Sequence, residues 1–316
     1  MVDNGDYDQR ALEMFRFQAA ENPVYKRYLE LLNCQPAQVS AVDRIPFLPV
    51  EFFKTHRVVS GPGLDAVIFE SSGTTGIETS KHFLLNEEIY INSLKSGFRQ
   101  FFGDPADYCF LALLPSYLER RNSSLVFMMN HLISLSLHPL SGFYLNNREE
   151  LSKNLRTLEQ SGQKTMLIGV SFALLDLAEQ FPMPLKNTMV VETGGMKGRR
   201  QELTRQELHD ILIRAFGLKS IGSEYGMTEL LSQAWSTGDG IYHSSSEMKV
   251  LIRDPYDPFR HLSNGRSGGI DVIDLANRFS CSFIQTQDLG RLQPDGSFEV
   301  LGRFDNSELR GCNLLV

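Results

Sequence analysis

Between residues 66 and 225 the chain alternates short apolar runs with longer amphipathic ones, and this alternation constrains the fold more than any other feature. The pattern predicts strands over 66–70, 108–114, 142–145, 165–170, 187–192 and 220–225. It predicts helices over 86–102, 122–137, 148–161, 171–181 and 203–217. Strands that alternate with helices of about 10–15 residues build βαβ units and a mostly parallel sheet. Before this region, 8–33 reads as helical with a break at Pro23, and 45–54 as an extended crossing followed by a short helix. After residue 235 short strands and turn signals take over, including the hairpin signal Pro294-Asp295-Gly296. The expected fold is α/β: one large domain over 1–316, with a βαβ-wound mostly parallel sheet and a smaller C-terminal β-rich subdomain. Its approximate subdomains are a helical and extended cover (1–65), an α/β core (66–235) and a β-rich part ending in a cysteine tail (236–316).

Hydrophobic residues make up 42% of 316 residues and charged residues 22%, so the chain can bury a substantial core and is not disordered as a whole. A formal charge of −7 argues against a nucleic-acid partner with a large phosphate footprint. The four cysteines, Cys34, Cys109, Cys281 and Cys312, are widely separated and form no C-x-x-C pair, which gives zinc or dithiol chemistry no support. The first three of them sit in apolar contexts and read as small core residues. The apolar stretch 124–140 is interrupted by Asn130, His131, His138 and Pro139, so no membrane span is expected. The acidic start, Met1 to Asp6, is unlike a basic leader, and a cytoplasmic protein with reduced thiols is the expectation.

Four short motifs carry the chemistry. Glu70-Ser71-Ser72-Gly73-Thr74-Thr75-Gly76 follows a predicted strand; glycine amides and hydroxyls there can converge on an anion, and the Gly-Lys-Ser/Thr ending of a Walker loop is missing. Glu192-Thr193-Gly194-Gly195-Met196-Lys197 and Tyr225-Gly226-Met227-Thr228-Glu229 each end a predicted strand, where open α/β sheets bind ligands. Asp288 lies in Thr286-Gln287-Asp288-Leu289-Gly290-Arg291, and Arg303 fifteen residues further on in Gly302-Arg303-Phe304-Asp305. Plainer readings exist for each: a helix-capping Glu229, a β-turn at Asp288-Leu289-Gly290, and Asp305 as the partner of Arg303.

In this order the motifs resemble the adenylate-forming superfamily of acyl-CoA synthetases, adenylation domains and luciferases. The segment 45–54 with His56, Leu114-Pro115-Ser116-Tyr117-Leu118-Glu119-Arg120, Ser123-Ser124-Leu125-Val126 and Thr193-Gly194-Gly195-Met196-Lys197 are similar to the acyl-protein synthetase branch, best known from the fatty-acid–protein ligase of bacterial luminescence. The resemblance covers nearly the whole chain. It implies ATP- and Mg²⁺-dependent conversion of a carboxylic acid, in that branch a fatty acid, to an acyl-AMP. By the same resemblance Ser71, Ser72, Gly73, Thr74, Thr75 and Gly76 hold the β- and γ-phosphates. Tyr225 stacks on adenine, Gly226 belongs to the same nucleotide-binding motif, and Gly194 and Gly195 let the purine approach the backbone. Thr228 bonds the α-phosphate, Glu229 binds Mg²⁺, Asp288 accepts from the ribose hydroxyls and Arg303 donates nearby.

The resemblance also implies an acyl group held on a cysteine near the C-terminus, and Cys312 in Leu309-Arg310-Gly311-Cys312-Asn313 is the expected carrier. A thiolate there would take the acyl group from AMP and pass it to a partner protein or to CoA. Two departures stand out. Glu78 occupies the place where relatives have a proline before a lysine, and the mobile C-terminal domain with its catalytic lysine is expected to be absent; Lys197 is the proposed substitute cation. The acyl pocket is less legible: Ser116, Tyr117, Ser123, Ser124, Met128, Met129 and His131 fall in the right stretch, but a Met-rich helix is more often core. The alternatives are an acyl-CoA ligase or acyltransferase without a covalent cysteine, and a nucleotide-binding scaffold without catalysis.

Overall fold

A computed structural model describes residues 4–71, 79–115, 120–194 and 203–304. In chain order the helices are α1 (Asn4–Glu21), α2 (Pro23–Leu31), α3 (Phe52–Thr55), α4 (Glu87–Phe102), α5 (Ser124–Ser136), α6 (Arg148–Ser161), α7 (Ser171–Gln180) and α8 (Arg205–Phe216). The strands are β1 (Leu48–Pro49), β2 (Val67–Glu70), β3 (Lys81–Leu84), β4 (Cys109–Leu113), β5 (Gly142–Phe143), β6 (Thr165–Val170) and β7 (Thr188–Thr193). They continue with β8 (Gly222–Tyr225), β9 (Ala234–Ser236), β10 (Ile241–Ser244), β11 (Met248–Arg253), β12 (Ser267–Asp274), β13 (Phe283–Leu292) and β14 (Phe298–Arg303). The chain divides into two compact units, residues 62–247 and residues 1–61 with 248–316. The N-terminal helices and the late β-rich segment therefore belong to one unit.

The unit of residues 62–247 is built on the sheet order β10-β9-β8-β7-β6-β4-β5. Strands β5, β4, β6, β7 and β8 run parallel, while β9 and β10 turn back antiparallel. Every residue of β4 and β6 is buried, as an interior parallel strand covered on both faces requires. The helices between them start and stop on local signals. Asn86 caps α4, Asn147 caps α6, and Thr204 and Glu207 form a reciprocal capping box on α8. Phe98, Phe102, Tyr108, Phe110 and Trp235 pack beside the sheet in edge-to-face, tilted and stacked pairs, with ring centroids 5.0–6.4 Å apart.

One element departs from the sequence expectation. The run 66–70 does not begin the parallel sheet: β2 pairs antiparallel with β3 in a separate two-stranded sheet, with Glu70 opposite Lys81. The Ser/Gly/Thr loop therefore connects two strands of a hairpin, and α4 begins only at Glu87. Phe69 anchors the hairpin, with its ring 5.4 Å from Tyr90 on α4 and 5.3 Å from Phe127 on α5.

The other unit contains the antiparallel order β11-β12-β13-β14. On β13, Asp288 to Leu292 pair with β14, while Ile284 and Gln285 pair with the short β1 running parallel. Phe15, Tyr25 and Phe283 form its aromatic core, with centroids 5.9–6.3 Å apart. Gln18, fully buried, joins α1 to the turn after β12. Its Nε2 donates to Asn277 O (3.0 Å), Arg278 O (2.9 Å) and Ser282 Oγ (3.1 Å), and its Oε1 accepts from Ser282 N (2.8 Å). Truncating it strands several buried polar groups at once. Gln18→Ala is expected to lower stability by about 2–4 kcal/mol, read as a lower urea midpoint at unchanged slope.

Candidate nucleotide-binding site

The strands β7 and β8 end side by side. Val191 lies opposite Gly222 and Glu192 opposite Ser223, so Thr193-Gly194 and Glu224-Tyr225 emerge together at the carboxyl edge of the sheet. Gly194 has φ +65°, a left-handed backbone that glycine adopts without strain. The Ser171 hydroxyl at the start of α7 donates to Gly194 O at 2.6 Å. Across the two strand ends, Thr193 Oγ1 donates to Glu224 Oε2 at 2.7 Å. Tyr225 is buried, with its ring edge-on to Tyr242 at 6.0 Å.

The turn after β8 is joined to the hairpin. His82 of β3, buried, has Nδ1 2.8 Å from Thr228 O. A carbonyl can only accept, so Nδ1 carries the proton. This bond couples the strand that leaves the Ser/Gly/Thr loop to the Tyr225-to-Glu229 turn. Glu229 is buried, and no helix begins at it: the chain runs through turns into β9. The helix-capping reading of Glu229 is thereby corrected. Ser71 closes the hairpin, because its N donates to Ser80 O (3.1 Å) and its Oγ accepts from Ser80 N (2.9 Å).

Behind the strand ends sits a cluster of charged and polar groups. Glu192 Oε1 is 4.0 Å from Arg205 Nε and 3.9 Å from His209 Nε2. Ser223 Oγ lies 3.5 Å from His209 Nε2, and the Arg205 guanidinium is 5.3 Å from the centre of the Tyr242 ring. Burial pushes the Tyr242 hydroxyl up to about 12 against the opposing pull of Arg205. The Glu224 side chain is half-buried. Desolvation raises it to about 7, the Thr193 hydrogen bond pulls the other way, and Glu192 adds like-charge repulsion.

In the unit that holds β13 and β14, Asp288 lies within β13 directly opposite Arg303, and Arg303 Nε donates to Asp288 Oδ1 at 3.1 Å. Asp288 is therefore a strand residue rather than part of a β-turn. Arg253 supports this region from behind. It donates to Asp271 Oδ1 (2.7 Å) and Thr286 O (2.6 Å), and its guanidinium lies 5.3 Å from the Phe304 ring centre. His261 Nε2 adds a contact to Asp271 Oδ2 at 3.1 Å.

Of the residues singled out in the sequence, Ser71, Gly194, Tyr225, Gly226, Thr228, Glu229, Asp288 and Arg303 are described. Ser72, Gly73, Thr74, Thr75, Gly76, Gly195, Lys197 and Cys312, with Ser116 and Tyr117, lie outside the described residues. Met128 and Met129 are buried on α5, and His131 Nδ1 bonds Phe127 O at 3.0 Å, so these residues are packed helix side chains. Sequence reasoning missed His82, Glu224, Arg253 and Asp271, and gave Glu192 only as the start of a motif. A charged residue within a strand was the only signal available for Glu224, Arg253 and Asp271. Among the described residues no group of three or more His, Cys, Asp or Glu side chains could hold a metal by itself, and no helix is long and apolar enough to cross a membrane.

The sheet plan matches the fold of solved adenylate-forming ligases. The chain resembles ATP-bound MatB from Rhodopseudomonas palustris at 18% identity and TM-score 0.57, covering 77% of this chain and 49% of MatB. It resembles 2-hydroxyisobutyryl-CoA ligase, in an open conformation with 2-HIB-AMP and CoA, at 13% identity and TM-score 0.70, covering 96% of this chain and 76% of that one. The chain thus spans about half the length of MatB. Comparison with curated proteins found no match. A family model described as "Acyl-protein synthetase, LuxE" matches residues 7–316. The chain belongs to this LuxE acyl-protein synthetase family.

The Glu224 environment predicts a pH signature. An ordinary glutamate at 4.5 is raised to about 7 in the folded chain, so the folded state holds a proton that the unfolded state has lost between these values. Stability should fall as pH rises from 5 to 8, by ~2–3 kcal/mol from this group at about 1.4 kcal/mol per unit. Glu224→Gln should remove that slope in urea titrations at a series of pH values.

Proposed function

We propose that the protein activates a carboxylic acid with ATP, forming an acyl-AMP, and then carries the acyl group on Cys312 for delivery to a partner protein. A fatty acid is the proposed substrate class. The observation that carries the reading is the bond from His82 to Thr228 O, which couples the hairpin bearing the Ser/Gly/Thr loop to the turn bearing Thr228 and Glu229. Membership of an acyl-protein synthetase family over residues 7–316 supports the same chemistry.

In the first step a carboxylate oxygen attacks the α-phosphorus, an O–P bond forms, and the bond to pyrophosphate breaks. Such a step gains most from positioning and from preorganised donors. Ser71, Ser72, Gly73, Thr74, Thr75 and Gly76 are assigned to the β- and γ-phosphates, Thr228 to the α-phosphate, and Gly194, Gly195, Tyr225 and Gly226 to the adenosine face. Asp288 and Arg303 are assigned to the ribose. Glu229 fits Mg²⁺ by its chemistry: its buried carboxylate is a hard oxygen ligand, which suits an ion that takes one or two carboxylates and completes its shell with phosphates and water. When bound, Mg²⁺ would neutralise phosphate charge. Lys197 is assigned to the transferring phosphoryl group.

In the second step the Cys312 thiolate attacks the acyl carbonyl, a C–S bond forms, and AMP leaves with the C–O bond electrons. A nucleophile on the acceptor then attacks the thioester carbonyl, a new bond to the acyl carbon forms, and the C–S bond breaks to release the Cys312 thiolate. Two measurements check the assignments. Cys312→Ser should keep acid-dependent exchange of pyrophosphate into ATP and lose the hydroxylamine-labile acyl label. Full labelling of that variant rejects the carrier role, and rapid acyl-CoA formation by it would favour a ligase that needs no cysteine. Lys197→Ala should slow adenylation by about 10²-fold, the usual effect of removing one charge-stabilising donor; an unchanged rate removes Lys197 from the site.

A further inference from the structure

We infer that Glu224 is a positioning residue for nucleotide binding: through Thr193 it ties the end of β7 to the end of β8 and sets the geometry of the Gly194 and Tyr225 backbone. This deepens the reading above and rests on it. The two oxygens of the carboxyl have separate roles. Oε2 accepts from Thr193 Oγ1 at 2.7 Å. Oε1 lies under Gly226, where an added Cβ would collide with it. A side chain at this position would push the carboxyl out of its seat. Glu224, itself the residue before Tyr225, thus touches both the residue before Gly194 and the first residue of the turn that leads to Thr228 and Glu229.

The surroundings favour the neutral acid. Glu192 on β7 repels an ionised Glu224, while Arg205 and His209 on α8 face Glu192, and Tyr242 on β10 stands beside Arg205. Trp235 on β9 is the residue opposite Glu224 in the sheet and brings no charge. The carboxyl is raised to about 7 by burial and by Glu192. Below that value the neutral acid accepts from Thr193 without charge repulsion. Above it, ionisation loads the junction with a second negative charge beside Glu192.

The test uses the full chain and acid-dependent pyrophosphate exchange, with the KM for ATP measured from pH 6 to 8.5. Comparing variant with wild type at each pH cancels the titration of ATP itself. Glu224→Ala and Thr193→Val are each expected to raise the KM for ATP about tenfold, and Thr193→Ser, which restores the hydroxyl, to recover it. Gly226→Ala, which displaces Oε1, should behave like Glu224→Ala. Glu224→Gln mimics the neutral acid, so its ratio to wild type should improve severalfold as the pH rises through 7. A loss of folding alone would lower active enzyme at every pH and leave KM and its pH profile unmoved. Exchange by the wild type together with an unchanged KM in Glu224→Ala, or with a Glu224→Gln profile parallel to wild type, overturns the inference while the proposed function stands. Failure of the wild type to exchange pyrophosphate with any of a panel of short, long and aromatic acids overturns the proposed function and the inference with it.

Discussion

The candidate site in the unit of residues 62–247 depends on the register between two neighbouring parallel strands. With Glu192 opposite Ser223, the chain must leave β7 and β8 at the same level. Buried backbone groups cannot be left unpaired, so this level is set by the hydrogen-bond ladder rather than by the loops above it. Strands β4 and β6, buried at every residue, hold the ladder in place. Once the two ends are level, Thr193 can reach Glu224, and Gly194 and Tyr225 lie side by side. A slip of one residue would turn Glu224 to the opposite face and break the arrangement.

The unit of residues 1–61 and 248–316 holds key buried polar side chains by pairing them. Gln18 satisfies four partners near the turn after β12, and Arg253 joins Asp271 to the backbone of β13. These pairings fix orientation, because an unpaired polar group in the interior costs more than the paired one contributes. The Glu192 and Glu224 pair is different: two acidic groups share one junction, and one of them is shifted toward neutrality. Such perturbed carboxyls concentrate where a fold places ligands rather than where it only packs.

Much of the architecture was legible in the residues. The helix over 148–161 and the strand over 165–170 match the expected bounds, because a cap at Asn147 and a continuous apolar run are local signals. The β2–β3 hairpin was not legible. Lys81 to Leu84 is only four residues long, and the pairing that makes it a strand comes from Val67 to Glu70 across the loop. The plainer helix-capping reading of Glu229 fails for a similar reason: Glu229 lies in a turn, and the chain folds back as β9 against β8. His82 carried no local mark of its partner, which is a backbone carbonyl 146 residues away.

The class of fold and the order of the motifs were readable along the chain, since both rest on local patterns, and the motifs' resemblance to acyl-protein synthetases agrees with the family match over residues 7–316. That Glu224 reaches Thr193, that His82 holds Thr228, and that Asp288 lies opposite Arg303 within a sheet emerge only from the packed fold. Those facts depend on strand register and on which distant carbonyl or hydroxyl a side chain meets. Periodicity along the chain encodes which face a residue presents, and only the packed structure supplies the group that stands across from it.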